Sequence, residues 1–373
     1  MRRRSLLGGN IEYVFSAATS TSVSSSSGSK SINIKSTANG NNIGYEVVSY
    51  DTPITAVTTA ATSVTIKYSS NSSTSRRVGS VILKQSESEK IITTTVTQSG
   101  KTPSFIWASG VVLSSAKDST GYTEIDVTDR GTVISKPSWA SVTCSNGKIT
   151  VTALSANTNA NGVGRKDTSD IRIGDSTISF TIFQMPASYN SVDGYEYATI
   201  LNLKWAIKNV GASSVTDIGN YYQWGKGSRT FQQTSAETIY DGTESILASS
   251  ADTATQVMGG GWRMPTHDEM KKSIAFNSNG AWLALYNGVR GMVVYEGINA
   301  TGGTGNKNMI FIPLTGYLDS EGRFIDGNFT LIINTSTRYT TFASYGYYMI
   351  KGWSNEVYSV YFGNGIPIRG VHD

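Results

Sequence analysis

A single cysteine, Cys144, and two histidines, His267 and His372, are all the thiol and imidazole that this 373-residue chain carries. One thiol cannot form an internal disulfide, and with two imidazoles it cannot complete the usual zinc sets. Charge is scarce too: Asp, Glu, Lys and Arg make up 16% of the residues, and the net charge of +4 is not gathered into a stripe. Nucleic-acid binding needs a clustered cationic footprint, so none is expected. No apolar run approaches the ~20 residues that cross a bilayer, so no membrane insertion is expected either. The beginning, Met1-Arg2-Arg3-Arg4-Ser5-Leu6-Leu7, is basic and then apolar. Its apolar stretch stops at Leu7, short of the roughly 7–15 residues of an export signal, and no cysteine lies nearby to accept a lipid.

What is present is Ser, Thr, Gly, Asn and aromatic side chains, including 20 Tyr, 7 Trp and 11 Phe. An uncharged, hydrogen-bonding surface is common among secreted, adhesive and virion proteins. The rings supply large apolar bodies for sheet cores, and Tyr and Trp add a polar handle suited to sugar contact. Over residues 14–100, alternating strands are predicted at Ser31–Lys35, Ser63–Tyr68, Gly79–Leu83 and Ile91–Gln98, punctuated by turns at Ala38–Asn42 and Ser69–Ser73. Short strands at this spacing predict a β-sandwich. The same grammar recurs over 101–187, with strands at Ile149–Leu154, Asp170–Ile173 and Ile178–Gln184 and an Asn-rich turn at Asn157–Asn161. Arg77 stands 21 positions before Gln98 and Arg165 stands 19 before Gln184. Two copies of one pattern imply a tandem repeat.

An Asn-rich turn, an Arg, an Ile/Val strand and a last strand ending in Val96-Thr97-Gln98 resemble the BACON domain, a Bacteroidetes-associated, carbohydrate-binding, often N-terminal module. Pro137-Ser138-Trp139-Ala140 matches the Pro-x-Trp-x strand of that family, while the first copy has Asp51-Thr52-Pro53-Ile54 there. The resemblance implies immunoglobulin-like sandwiches. In that setting Trp139 is expected as a core anchor, Gln98 and Gln184 as caps of strand ends, and Arg77 and Arg165 as fixing a turn or covering a sheet edge.

After Met185-Pro186 the composition shifts. Leu203–Ala212 reads as a strand and turn, Ser250–Met258 as a helix stopped by Gly259-Gly260-Gly261, and Thr266 with Glu269 as a capping box. A strand is predicted at Asn308–Tyr317, turns at Asp319–Gly322 and Asp326–Asn328, and a final strand at Gly365–Val371. With Tyr221–Gly225 and Gly261–Thr266, this order over 189–373 resembles the Fibrobacter succinogenes major paralogous domain, which implies a C-type-lectin-like fold with Trp224 and Trp262 in its core. The Glu-Pro-Asn, Gln-Pro-Asp and Trp-Asn-Asp strings of calcium-dependent lectins do not occur. Asp319–Gly322 lacks the alternating acids of a calcium loop and reads as a hairpin turn. Neither a Gly-x-Ser-x-Gly elbow nor a Gly-x-x-x-x-Gly-Lys-Ser/Thr loop is present. No catalytic residue, metal ligand or cofactor is therefore expected.

The expected fold class is mainly β with an α+β C-terminal domain: an N-terminal arm at 1–13, immunoglobulin-like β-sandwiches at 14–100 and 101–187, and a C-type-lectin-like domain at 188–373. Tyr345, Tyr347, Tyr348 and Trp353, in Gly/Ser/Asn-rich surroundings, are the candidate ligand-binding residues. As a whole the chain resembles a virion fibre protein of a Bacteroidetes-infecting, crAss-like phage. That resemblance implies a non-enzymatic homo-oligomer, dimer or trimer, on the virion surface. The arm would dock on capsid or tail proteins, and the lectin-like tip would attach to host-cell or mucin glycans. The alternative is a bacterial cell-surface glycan-binding protein.

Overall fold

The computed structural model describes residues 10–231, 243–273, 280–296, 305–327, 330–338, 345–351 and 357–373, the backbone alone for 280–281, 345–351 and 357–360. The protein is mainly β, with 51% of the described residues in strands and 4% in helix. The chain folds into two compact units. One holds the residues up to Ser104 together with Asp126–Thr132 and Arg172–Ile178, and the other holds Phe105–Ile125, Val133–Ile171 and Ser179–Asp373.

In the first unit the strands are β1 (Tyr13–Ala17), β2 (Ser20–Val23), β3 (Gly28–Ala38), β4 (Asn41–Asn42), β5 (Tyr45–Tyr50), β6 (Ile54–Thr59), β7 (Ser63–Tyr68), β8 (Arg77–Gln85) and β9 (Ile91–Gln98). They form an immunoglobulin-like sandwich. One sheet has the order β1-β3-β7-β6, with β4 beside β3, and the other has the order β2-β9-β8-β5. The cause is the two-residue period of a strand, which sends alternate side chains to one face. Ile32 and Ile34 on β3, Val64 and Ile66 on β7, Val81 and Leu83 on β8, and Val96 on β9 all turn inward and are buried. Burying each such side chain contributes about 1.5–3 kcal/mol.

The second repeat supplies β10 (Gly110–Leu113), β11 (Thr120–Glu124), β12 (Thr132–Ser135), β13 (Ala140–Ser145), β14 (Lys148–Ala153), β15 (Val163–Ile173) and β16 (Ser176–Gln184). One of its sheets is β11-β14-β13. The other does not stop at β10. Strand Gly280–Tyr286 pairs in parallel with β10, from Gly110↔Ala284 to Val112↔Tyr286. Val289–Tyr295 and Gly305–Pro313 follow in antiparallel order, and the last of these returns to β15 through Val163↔Asn308 to Lys166↔Gly305. Six strands thereby close into a ring. The residues dictate this: Gly110–Leu113, Phe180–Gln184, Gly291–Tyr295 and Met309–Pro313 are continuous buried runs, the pattern of strands covered on both faces. Gly110 permits the seam, because a Cβ there would lie 2.5 Å from the Leu283 carbonyl oxygen. The sheet thus runs across the expected division at 187/188, and Asp126–Thr132 and Arg172–Ile178 group with residues before Ser104 rather than with the rest of 101–187.

The rest of the C-terminal part packs around Trp205, Met270, Met292, Ile310, Leu331 and Val371 on one side and Trp224, Met258, Trp262 and Phe362 on the other. Helix α1 (Thr253–Met258) opens on Asp252, whose side chain accepts from Thr255 N–H, and closes at Gly259 with φ 67°. Helix α2 (His267–Ser273) carries the capping box: Thr266 N–H donates to Glu269 Oε2 at 2.8 Å and Glu269 N–H to Thr266 Oγ1 at 3.3 Å. The predicted final strand is broken. Gly365–Ile366 and Val371–His372 are separate strands, because Pro367 has no N–H for a ladder and Arg369 turns inward. Arg369 is fully buried and donates to Asn209 Oδ1 at 2.8 Å and to the carbonyls of Ala206 and Phe311 at 3.1 and 3.4 Å.

Candidate functional site

Both repeats contain the same polar network. Arg77 Nε donates to Gln98 Oε1 at 2.8 Å, and Arg165 Nε to Gln184 Oε1 at 2.6 Å. Arg77 Nη2 also reaches Ser69 O and Oγ, as Arg165 Nη2 reaches Ser155 O and Oγ. Each Gln Nε2 then donates to carbonyls: those of Ser24, Ser25 and Ser69 in the first repeat, and of Ser115, Ala116 and Ser155 in the second. Because the network occurs twice, it belongs to the scaffold. What differs between the copies is informative about ligands.

Only the second copy places a tryptophan against this arginine. Trp139 sits in a turn ahead of β13, where Ala140 N–H donates to Pro137 O at 3.2 Å and Leu154 N–H to Trp139 O at 2.8 Å. Trp139 is half-buried and lies outside the buried core, a correction to the expected core anchor: its turn sets it beside Arg165 at the cleft. The Arg165 guanidinium lies 4.4 Å from the ring centroid, and burial lowers its pKa from the ordinary value. Next on β15, Lys166 is buried and lies 4.3 Å over the Trp282 ring. Burial lowers its pKa, with the Asp167 carboxylate acting in the opposite sense.

The Asn-rich turn forms one wall. Asn157 is buried and its amide donates to the carbonyls of Val163 and Met185 at 3.2 and 2.9 Å, while its Oδ1 accepts from Asn159 N–H at 3.1 Å. This leaves Thr158 exposed and Asn159 half-exposed. The opposite wall comes from Gly305 and Asn306, brought there by the pairing Arg165↔Asn306. Together with Asp167 these residues line a cleft of about 410 Å³. That is the size of a small-molecule site, and the mixture of one aromatic plate with amides, a hydroxyl and single charges suits a polyhydroxylated ligand. Asp167 supplies a carboxylate to the lining.

The residues singled out from sequence fall elsewhere. Tyr345, Tyr347 and Tyr348 are backbone positions of strand Tyr345–Lys351, in register with Tyr361, Ser359 and Tyr358, and Trp353 and the Arg2–Arg4 segment lie outside the described residues. Trp224 and Trp262 are core, each 1% exposed; Trp224 stacks on Phe362 at 4.1 Å and donates to Thr335 O. Asp319 accepts from the N–H groups of Glu321 and Arg323 and from Arg323 Nε, which closes a hairpin turn. Among the described residues no group of three His, Cys, Asp or Glu could hold a metal ion. A second cleft, of about 250 Å³, lies beside Asp252 and Arg263. Its charges already serve the fold: Asp252 accepts from Met264 N–H at 2.9 Å and Arg263 forms a two-pronged pair with Glu269 at 2.7 Å. Sequence reasoning passed over Thr158, Lys166, Asp167 and Asn306; the Asn-rich turn was its one available signal.

No protein-family model matches the chain, and no curated protein matches it. Solved structures do. A titin fragment of three immunoglobulin domains is 9% identical over 48% of this chain and 66% of that one, with a TM-score of 0.30. The chain thus spans slightly less than two thirds of that fragment. The insect immune protein hemolin is 12% identical over 49% of each chain, with a TM-score of 0.26. A Bacteroides vulgatus ATCC 8482 protein is 26% identical over 26% of this chain and 97% of its own, with a TM-score of 0.18. The pairing of the strands, not these superpositions, defines the sandwiches.

Proposed function

We propose that this protein is a non-enzymatic, glycan-binding fibre of a virion surface, and that the Trp139 cleft is its binding site. The observation that supports this is the half-exposed Trp139 ring set among Thr158, Asn159, Asp167 and Asn306 in a cleft of about 410 Å³. Sugar C–H faces pack on such a ring while amides and a carboxylate take up hydroxyl groups. A single site of this kind is weak, and repetition in a homo-oligomer on a particle raises avidity by ~10²–10⁴. The arm at 1–13 docks on capsid or tail proteins in this reading, and the C-terminal part keeps a C-type-lectin-like tip.

The test is a glycan array probed with the intact protein beside Trp139→Ala. Binding that is lost in the variant while Tyr345→Ser retains it supports the cleft. Equal binding by wild type and Trp139→Ala removes it. Light scattering of the purified protein tests the oligomer, and a strict monomer at micromolar concentration counts against the fibre.

A further inference from the structure

The outer face of the β11-β14-β13 sheet carries another cleft, of about 220 Å³, against the hairpin that joins Gly280–Tyr286 to Val289–Tyr295. Strand alternation puts Thr120 and Tyr122 of β11 and Lys148 and Thr150 of β14 on that face, while Ile149 and Val151 are buried in the sandwich. The register sets Tyr122 opposite Thr150 and Glu124 opposite Lys148. At the hairpin tip Asn287 and Gly288 have φ 50° and 79°, the two-residue turn of positive φ that Asn-Gly favours. The turn comes close to the ring: a Cβ added to Gly288 would lie 3.9 Å from the Tyr122 hydroxyl. Leu285, which is buried, adds an apolar wall.

Little of the polar chemistry here is spent on the fold. Lys148 does not pair with Glu124 across the ladder; its ammonium lies 3.7 Å from the Tyr122 ring centroid and makes no hydrogen bond or ion pair among the described residues. Within those residues the side chains of Thr120, Thr150 and Asn287 and the Tyr122 hydroxyl make no hydrogen bond either. The cleft beside Asp252 and Arg263 is the opposite case, its charges being bound to neighbouring groups of the chain. In the first repeat the matching face is plain. β3 and β7 pair there as β11 and β14 do, with Val64 and Ile66 buried like Ile149 and Val151. Ser31, opposite Thr65, stands where Tyr122 stands opposite Thr150, and Ser63 stands where Lys148 does. The ring and the ammonium thus occur in the copy that has the hairpin beside it.

A lysine ammonium is a compact charge with three donors and no acceptor, so what it recognises is an anion. The hydroxyls of Thr120 and Thr150 and the Asn287 amide around it suit the hydroxyl groups of a sugar ring, and Leu285 suits its C–H groups. The volume is below the roughly 300–1,000 Å³ of drug-sized sites, which limits the occupant to one sugar residue. We propose that this cleft is a separate binding site for a single acidic sugar residue, one that carries a carboxylate or a sulfate, with Lys148 as the group that binds the anion. The Trp139 cleft has the opposite preference, because the Asp167 carboxylate in its lining repels such a group. The proposal goes beyond the Trp139 reading and does not rest on it. A site built on one surface cation is weak, so it shows in a solution titration and not on an array.

Saturation-transfer NMR titration of the full chain with free glucuronate tests it. Glucose, the same ring without the charge, should bind about fivefold more weakly than glucuronate. Lys148→Gln should weaken glucuronate by about the same factor, Lys148→Arg should keep most of the binding, and Trp139→Ala should leave it unchanged. Lys148 is exposed, so neither replacement endangers the fold. Raising sodium chloride from about 10 to about 150 mM shortens the Debye length from about 30 to about 8 Å and should weaken glucuronate further. A sulfated glucose that binds with the same dependence on Lys148 supports the anion as the recognised group. Absence of glucuronate binding, or equal binding by wild type and Lys148→Gln, overturns the proposal. Loss of glucuronate in Trp139→Ala moves it to the other cleft, which also overturns the proposal and leaves the Trp139 reading standing. Acetate that binds as tightly as glucuronate overturns the sugar and leaves a bare anion site.

Discussion

Replacing Gln98 by Leu removes a side chain that accepts from Arg77 at 2.8 Å and donates to Ser69 O at 2.7 Å and Ser24 O at 3.1 Å. Leu fills most of the volume, so the cost is the polar groups left behind. Arg77 Nε is a charged donor that loses its acceptor, and the Ser24 carbonyl loses its donor. At about 1–3 kcal/mol for a stranded group, more for a charged one, the total is about 3 kcal/mol. With a urea dependence of about 1.5 kcal/mol per molar, the unfolding midpoint of the first unit falls by about 2 M. The sequence supplies the assay. The six described tryptophans, Trp107, Trp139, Trp205, Trp224, Trp262 and Trp282, all fall within the residues of the second unit. Tryptophan fluorescence therefore follows that unit, while far-ultraviolet circular dichroism follows both. Gln98→Leu should bring an early transition into the dichroism and leave the fluorescence midpoint unchanged, and Gln184→Leu should move the fluorescence. A fluorescence midpoint that shifts with Gln98→Leu, or a dichroism curve that does not move, refutes the reasoning.

Trp139→Ala should abolish glycan binding yet cost only about 1 kcal/mol in fluorescence-monitored urea unfolding, because the half-exposed ring contributes mainly its contact with Arg165. Glu269 sets an acid limb. Burial pulls its carboxyl upward, but hydrogen bonds from Arg263 and Thr266 outweigh that and hold it below the ordinary value. Its contribution is thus present above the unfolded pKa and lost as pH falls through the lower folded one. Glu269→Gln should flatten the fall in stability of the second unit as pH drops below the ordinary carboxylate range, at a cost near neutrality of about 1 kcal/mol after allowance for partial exposure, read from urea midpoints at each pH. A chain shortened to residues 1–187 lacks the strands that flank β10 and β15. Hydrogen exchange should show the Gly110–Leu113 and Val163–Lys166 amides losing protection relative to the whole protein.

The first sandwich was legible because its information is local. β7 and β9 coincide with the predicted Ser63–Tyr68 and Ile91–Gln98, each an alternating run bounded by turn residues. The glycine stop of α1 and the capping box of α2 were legible for the same reason, since each is set by residues only a few positions apart. The cleft was less so. A Pro-x-Trp-x string fixes the residue type, but only the turn at Pro137–Trp139 decides whether the ring faces the core or the solvent. Asn306 reaches Arg165 through a register set by ring closure, for which no short-range pattern exists. The expected final strand failed at Pro367, where one missing donor and one inward arginine outweigh an apolar run.

The parallel seam between Gly110–Leu113 and Gly280–Tyr286 bears on how such a protein can diversify. The sequence offers an apparent domain boundary at Met185-Pro186, but strands from both sides of it share one sheet. An exchange made there would set a foreign strand against β10, where a Cβ on Gly110 would lie 2.5 Å from the Leu283 carbonyl oxygen, so the approach of the two strands depends on the glycine. A viable exchange has to keep β10 and β15 together with the C-terminal strands that pair with them.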